Sequence, residues 1–171
     1  MRNDPIGPGI CSADLDKIAL YSELSAQVDT LLSGEVDVIA NLANTAAAIF
    51  HTLPSVNWAG FYLARGAELV LGPFQGKPAC GRIPFGQGVC GTAAVRKESI
   101  LVPDVHAFPG HIACDVASMS ELVVPMVRDQ ILIGVLDLDS PFEARFDAQD
   151  QACCEALVEV VLSHLGSIPP F

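Results

Sequence analysis

No apolar run in this chain approaches the roughly 20 residues that a membrane-spanning helix needs. The stretch 131–136, among the longest, is interrupted by Gly134. The opening residues, MRNDPIGPGI, carry an acid and two prolines and lack the apolar centre of a secretory leader. Neither a membrane nor a secreted location is therefore expected, and the cytoplasm is the expected compartment. Positive charge is also scarce. Nine Lys and Arg stand against 20 Asp and Glu, for a net charge of −11. Nucleic acid is thus excluded as a partner, because phosphate binding needs a basic face. A small ligand with a cationic group suits this balance better than a polyphosphate. Repeats, linkers and low-complexity segments are absent, so 171 residues read as one domain over 13–171 behind a flexible segment 1–12.

Cysteine is present six times but never as C-x₂-C. Nine and twenty-three residues separate Cys80, Cys90 and Cys114. That spacing argues against a zinc site built from them with His111, and no metal is expected. In a cytoplasmic chain, cysteines serve catalysis, metal binding or packing more often than structural disulfides. Cys11, Cys153 and Cys154 sit in or beside helix-like sequence near the ends and read as packing. Cys80, Cys90 and Cys114 lie among Gly, Pro and acidic residues, each in a loop or at an element boundary. These three read as a redox site.

The spacing of Leu15, Ile18, Ala19, Leu24, Val28, Leu31 and Leu32 predicts an amphipathic helix over about 13–32, ended by Gly34. A second helix is expected over 36–51, with Val38, Ile39, Leu42, Ala46, Ala47 and Ile49 on or near one face. The period then changes. Residues 58–64 and 68–74 read as a hairpin turning at Arg65-Gly66, and 75–82 as a Gly/Pro loop. A short helix opens near Gly88, with Cys90 in its first turn, where the dipole would favour a thiolate. A short strand over 99–102 leads into a loop of about 17 residues, 103–119, long enough to suggest function. A second hairpin, 121–127 with 131–138, precedes a closing helix over 147–165. The order implies an α+β fold with a central antiparallel sheet of five to six strands and helices mainly on one face.

On the strand 131–139, Ile133, Val135, Asp137 and Asp139 alternate onto one side, with Leu132, Leu136 and Leu138 on the core side. The two aspartates are either the wet end of a strand or a carboxylate pair with a raised proton affinity. Whether Glu121 joins them depends on the hairpin. A two-residue loop would set Glu121 opposite Leu138, pointing away. Asp129-Gln130 lacks the Gly favoured in such a turn, so a three-residue loop and a three-acid face are expected. Trp58 and Tyr62 share a strand face with Gly60. By itself this is a covered sheet face. Beside the missing side chain it could also wall a ligand pocket.

The stretches Gly72-Pro-Phe-Gln-Gly-Lys-Pro-Ala-Cys80, Gly86-Gln-Gly-Val-Cys-Gly-Thr-Ala94, Leu101-Val-Pro-Asp-Val-His106, Phe108-Pro-Gly-His-Ile-Ala-Cys-Asp115, Ser120-Glu-Leu-Val-Val-Pro125 and Gly134-Val-Leu-Asp-Leu-Asp-Ser140 resemble the free methionine-(R)-sulfoxide reductases, which are stand-alone GAF domains. The likeness covers about residues 15–165. It implies a GAF-like fold and reduction of free methionine-(R)-sulfoxide in defence against oxidative stress. Cys114 matches the attacking cysteine, Cys80 the resolving one, and Cys90 a third that can assist the exchange. Glu121, Asp137 and Asp139 match the acids that hold the substrate amine and sulfoxide oxygen. Either Glu121 or Asp139 is expected to carry the proton, and Asp137 to stay ionised for the ammonium. Trp58 and Tyr62 match an aromatic wall. The backbone N–H groups of Ile112 and Ala113 would take the substrate carboxylate. The resemblance also implies no bound cofactor, reduction by thioredoxin and NADPH, and a homodimer through the helical face. Two competing readings are a ligand-binding GAF sensor and a redox switch without a small substrate. The first would need an output domain for which the chain has no room, and the second leaves the acids and aromatics without a purpose.

Overall fold

A computed structural model describes residues 12–110 and 117–166 of the protein. Six strands form one antiparallel sheet in the order β3-β2-β1-β6-β5-β4. They are β1 (Trp58–Arg65), β2 (Glu68–Gly76), β3 (Arg82–Pro84), β4 (Ile100–Val102), β5 (Ser120–Arg128) and β6 (Ile131–Ser140). The helices are α1 (Ser12–Leu32), α2 (Val38–Thr52), α3 (Gly88–Arg96) and α4 (Ala148–His164). α2 and α4 lie on one sheet face and α1 packs across them, whereas α3 packs on the opposite face. The α+β arrangement with helices mainly on one face is therefore observed. β3 lies within what reads in the sequence as the end of a loop and the residues after it. Three residues are too few to show a period, and β3 exists only by pairing with Glu68–Val70.

Each main helix is positioned by its apolar stripe and its caps. α1 buries Tyr21, Leu24, Val28 and Leu32 at steps of three and four, which leaves Ile18 and Leu31 half exposed off the stripe. α2 starts two residues later than its periodicity suggests, because the Asp37 carboxylate caps it by accepting from the Ala40 N–H at 2.9 Å. Ile39 is consequently exposed and Asn41 and Thr45 are buried. α4 opens on a capping box in which Asp147 and Asp150 each accept from the other's backbone N–H.

Asp150 is fully buried and joins three elements. Its carboxylate accepts from the Tyr21 hydroxyl at 2.8 Å, from Lys17 at 2.9 Å and from Arg145 at 3.2 Å. Replacing it by alanine takes the acceptor from a buried hydroxyl, one of two partners from each cation, and half of the cap. Asp150→Ala is expected to lower unfolding stability by about 3 kcal/mol, read from the urea midpoint at unchanged m-value. A loss below about 1 kcal/mol would show that water replaces the carboxylate.

The hairpin β5–β6 decides the register of the site. Arg128 pairs directly with Ile131, so the loop is two residues long. Asp129 and Gln130 both have positive φ, 50° and 65°, as a type I′ turn requires. The expected three-residue loop is thus wrong. A bulge restores its consequence: between Met126–Gly134 and Val127–Leu132 the pairing skips Ile133. Beyond the bulge Glu121 sits opposite Asp139, as the three-acid face needs. The extra residue also reverses the alternation at the hairpin end. Ile133 packs toward the helical core and Leu132 toward the α3 side, opposite to the alternation read from the sequence.

Candidate active site

Three neighbouring strands bring the site residues into one row. Trp58 on β1 pairs with Asp139 on β6, which pairs with Glu121 on β5. Two residues along, Gly60 pairs with Asp137. All project to the face that α3 covers, where Trp58, Tyr62, Val89, Cys90, Val123 and Val135 form a second apolar cluster. Glu121 and Asp137 are therefore buried in apolar surroundings at 6% and 7% exposure. Asp139 lies at the rim, half buried.

Burial and mutual repulsion set the protonation of this group. Desolvation, with the negative charge of Asp137 and Asp139, pushes the Glu121 carboxyl well above the glutamate range. Desolvation also raises Asp137, to about 7, while hydrogen bonds from Cys90 and Glu121 pull it back down. Burial and the same two acids push the Cys90 thiol up. The helix dipole at this N-terminus is thus opposed by the field of two carboxyls and the loss of water, which raise the thiol's proton affinity. Asp137 Oδ1 is buried without a hydrogen-bond partner among the described residues. The Cys90, Glu121 and Asp137 ligand atoms lie within 4.8 Å of one another.

The aromatic wall is deeper than the pair read from sequence. Trp58 stacks on Tyr62 at 5.9 Å and on Phe74 at 5.3 Å between ring centroids. Phe74 fills the place above Gly60, where an added Cβ would stand 2.3 Å from Phe74 Cβ. The missing side chain admits a third ring instead of opening a cavity. Phe74 could have been found from its pairing with Gly60, which needs the β1–β2 register and its bulge between Gly60 and Tyr62. The indole N–H of Trp58 donates to the Lys77 carbonyl at 3.1 Å, tying the wall to the loop that carries Cys80. Cys80 is half buried and disulfide-bonded, whereas Cys90, Cys153 and Cys154 are free. Ile112, Ala113 and Cys114 lie outside the described residues, as do Cys11 and nearly all of the segment 1–12.

Residues 27–167 match the GAF domain family. The free methionine-R-sulfoxide reductase of Escherichia coli is 49% identical over 144 residues, 84% of this chain and 87% of that protein. That of Saccharomyces cerevisiae is 43% identical over 158 residues, 88% of each. The chain is a GAF domain of the free methionine-R-sulfoxide reductase family. The crystal structure of the Neisseria meningitidis reductase in complex with its substrate is 46% identical and superposes with a TM-score of 0.84, covering 87% of this chain and 90% of that one. In this reductase-family domain no helix among the described residues is long and apolar enough to cross a membrane. The described end of the segment that follows Cys114 is anchored beside the aromatic wall. Asn57 donates to the Ser118 hydroxyl at 3.3 Å, and the Met119 N–H to the Ser140 carbonyl at 2.7 Å. Neither Asn57 nor Ser118 is signalled by the sequence, since each acts through a pairing across more than 60 residues.

Proposed function

We propose that this protein reduces free L-methionine-(R)-sulfoxide to methionine, using Cys114 as nucleophile, Cys80 as resolving thiol and thioredoxin as reductant. The observation that supports it best is the buried Glu121–Asp137 pair beside the Trp58 wall. Burial raises the proton affinity of both carboxyls, and Asp137 offers an oxygen without a hydrogen-bond partner among the described residues. The sulfoxide oxygen is a poor leaving group until protonated, and neutral Glu121 is the donor. The Cys114 thiolate attacks the methionine sulfur and takes over its oxygen. The substrate sulfur gains two electrons and the cysteine sulfur loses two, which leaves methionine and a sulfenic acid. Cys80 then displaces that hydroxyl as water and closes a disulfide. A thioredoxin dithiol reduces the disulfide, two thiols reappear, and the oxidised thioredoxin is reduced with NADPH through its reductase.

Asp137 takes the substrate ammonium, a role supported by its Oδ1 having no hydrogen-bond partner among the described residues. That contact favours its ionised form and draws the shared proton onto Glu121. The N–H groups of Ile112 and Ala113 take the carboxylate. A peptide-bound methionine lacks both charged ends. With thioredoxin, thioredoxin reductase and NADPH, the purified protein is expected to consume NADPH with free methionine-(R)-sulfoxide. It is expected to ignore the S epimer and a peptide-bound sulfoxide. No turnover with any of the three would sink the reading.

A further inference from the structure

We propose that Phe74 is a positioning residue that sets substrate specificity: it backs Trp58 from the β2 side and so holds the pocket at the width of an S-methyl group, against larger S-alkyl sulfoxides. This rests on the reading given above, in which the sulfoxide meets the acids beside the Trp58 wall.

The sheet register sets the arrangement. Gly60 pairs with Phe74 on β2 and with Asp137 on β6. Directly paired residues share a sheet face, so Phe74 and Asp137 flank Gly60 from opposite sides. Trp58 leans over the space that Gly60 leaves. A Cβ built there would stand 2.7 Å from the indole Cη2 and 2.3 Å from Phe74 Cβ. The six-membered end of the indole therefore lies in the gap between Phe74 and Asp137. The Phe74 ring is stacked on the indole, 5.3 Å between centroids and 13° between planes.

The two ends of the indole are held differently. At the five-membered end the N–H donates to the Lys77 carbonyl at 3.1 Å, and Cδ1 would stand 2.7 Å from a Cβ at Gly76. Backbone fixes that end. The six-membered end has no polar atom to tie down, so only packing holds it. Tyr62 stacks on the indole at 5.9 Å from the same strand, and Phe74 is the ring that β2 supplies. With Phe74 in place the indole cannot swing away from Asp137 and Asp139. Phe74 is half buried, whereas Trp58 is 2% exposed. Truncating Phe74 thus gives the indole room to retreat without leaving a closed cavity in the core. A wall that cannot retreat reads the size of the group against it.

The test compares Phe74→Ala and Phe74→Tyr in the full protein on two substrates, free methionine-(R)-sulfoxide and its S-ethyl homologue, free ethionine-(R)-sulfoxide. Wild type is expected to favour the methyl substrate in kcat/KM by at least about tenfold, the usual worth of one methylene in a fitted apolar pocket. In Phe74→Ala the methyl substrate should lose about tenfold while the ethyl substrate keeps its rate, so the preference should nearly vanish. Phe74→Tyr keeps the stacked ring and should restore most of the preference. A merely structural role would lower both substrates together. An unchanged ratio in Phe74→Ala, no preference in wild type, or failure of tyrosine to rescue would each overturn the proposal. Trp58 is the only tryptophan of the chain, so its fluorescence reads the wall without turnover. Acrylamide should quench it weakly in wild type and Phe74→Tyr and markedly more in Phe74→Ala. Equal quenching in wild type and Phe74→Ala would show that Phe74 backs nothing, whatever the turnover assays give. This keeps its failure distinct from failure of the assigned reaction.

Discussion

Cys114→Ser is expected to abolish turnover of free methionine-(R)-sulfoxide, with a loss of at least about 10³-fold in kcat. A serine hydroxyl is not ionised at neutral pH, and oxygen cannot accept the sulfoxide oxygen as sulfur does in forming a sulfenic acid. The acids and aromatics stay in place, so substrate binding should persist, and calorimetry on the variant should find an affinity close to that of the wild type. Cys80→Ser is the informative contrast. It retains the nucleophile and loses only resolution, so it should release one methionine per chain and then stop with NADPH unconsumed. Full activity in Cys114→Ser would refute the choice of nucleophile. One equivalent of methionine from Cys114→Ser and none from Cys80→Ser would exchange the two roles.

Glu121→Gln tests the other half of the chemistry. The amide keeps the shape and can still donate a hydrogen bond, but it has no proton to transfer. A loss of about 10²–10³ in kcat is expected, with KM changed little. The working form of Glu121 is its acid. The wild-type rate should therefore fall as pH rises through the raised Glu121 pKa, and that alkaline limb should be missing in Glu121→Gln. The substitution should move stability in the opposite direction to activity. A carboxyl whose folded pKa lies above its unfolded value stabilises below the ordinary glutamate range and loses that contribution as pH rises toward the folded value. Glutamine does not titrate. At pH 8 Glu121→Gln should thus unfold at higher urea than wild type, and the advantage should vanish near pH 4. Equal midpoints at both pH values would mean that Glu121 is not held as an acid. A less active, more stable variant is the expected signature of a strained functional group.

Much of the framework was legible because it depends on short repeats. The alternation around Trp58 and Tyr62, and around Asp137 and Asp139, identifies strand faces within a few residues. The apolar steps in α2 and the Asp147 start of α4 identify helices in the same way. The candidate acids were legible for the same reason, since an Asp-Leu-Asp strand end puts both carboxylates on one side whatever it pairs with. Less was legible where partners are distant. The α1 stripe chose Tyr21 over Ile18 only when α2 and α4 packed against it, and β3 formed only against β2. Phe74 entered the wall through a pairing that no local period contains.

The three cysteines show the division most sharply. By itself the sequence determined that they stand among Gly and Pro in loops and at element boundaries, and that acids and aromatics alternate onto neighbouring strand faces. Those are properties of residue type and spacing. Tertiary structure alone decided that Glu121 faces Asp139, because a bulge at Ile133 cancels the two-residue turn at Asp129-Gln130. It alone decided that Cys90 is buried beside two acids, which raises the proton affinity of its thiol. Register is set by the pairing of whole strands, and proton affinity by which charges lose their water together. Neither quantity belongs to a single stretch of chain.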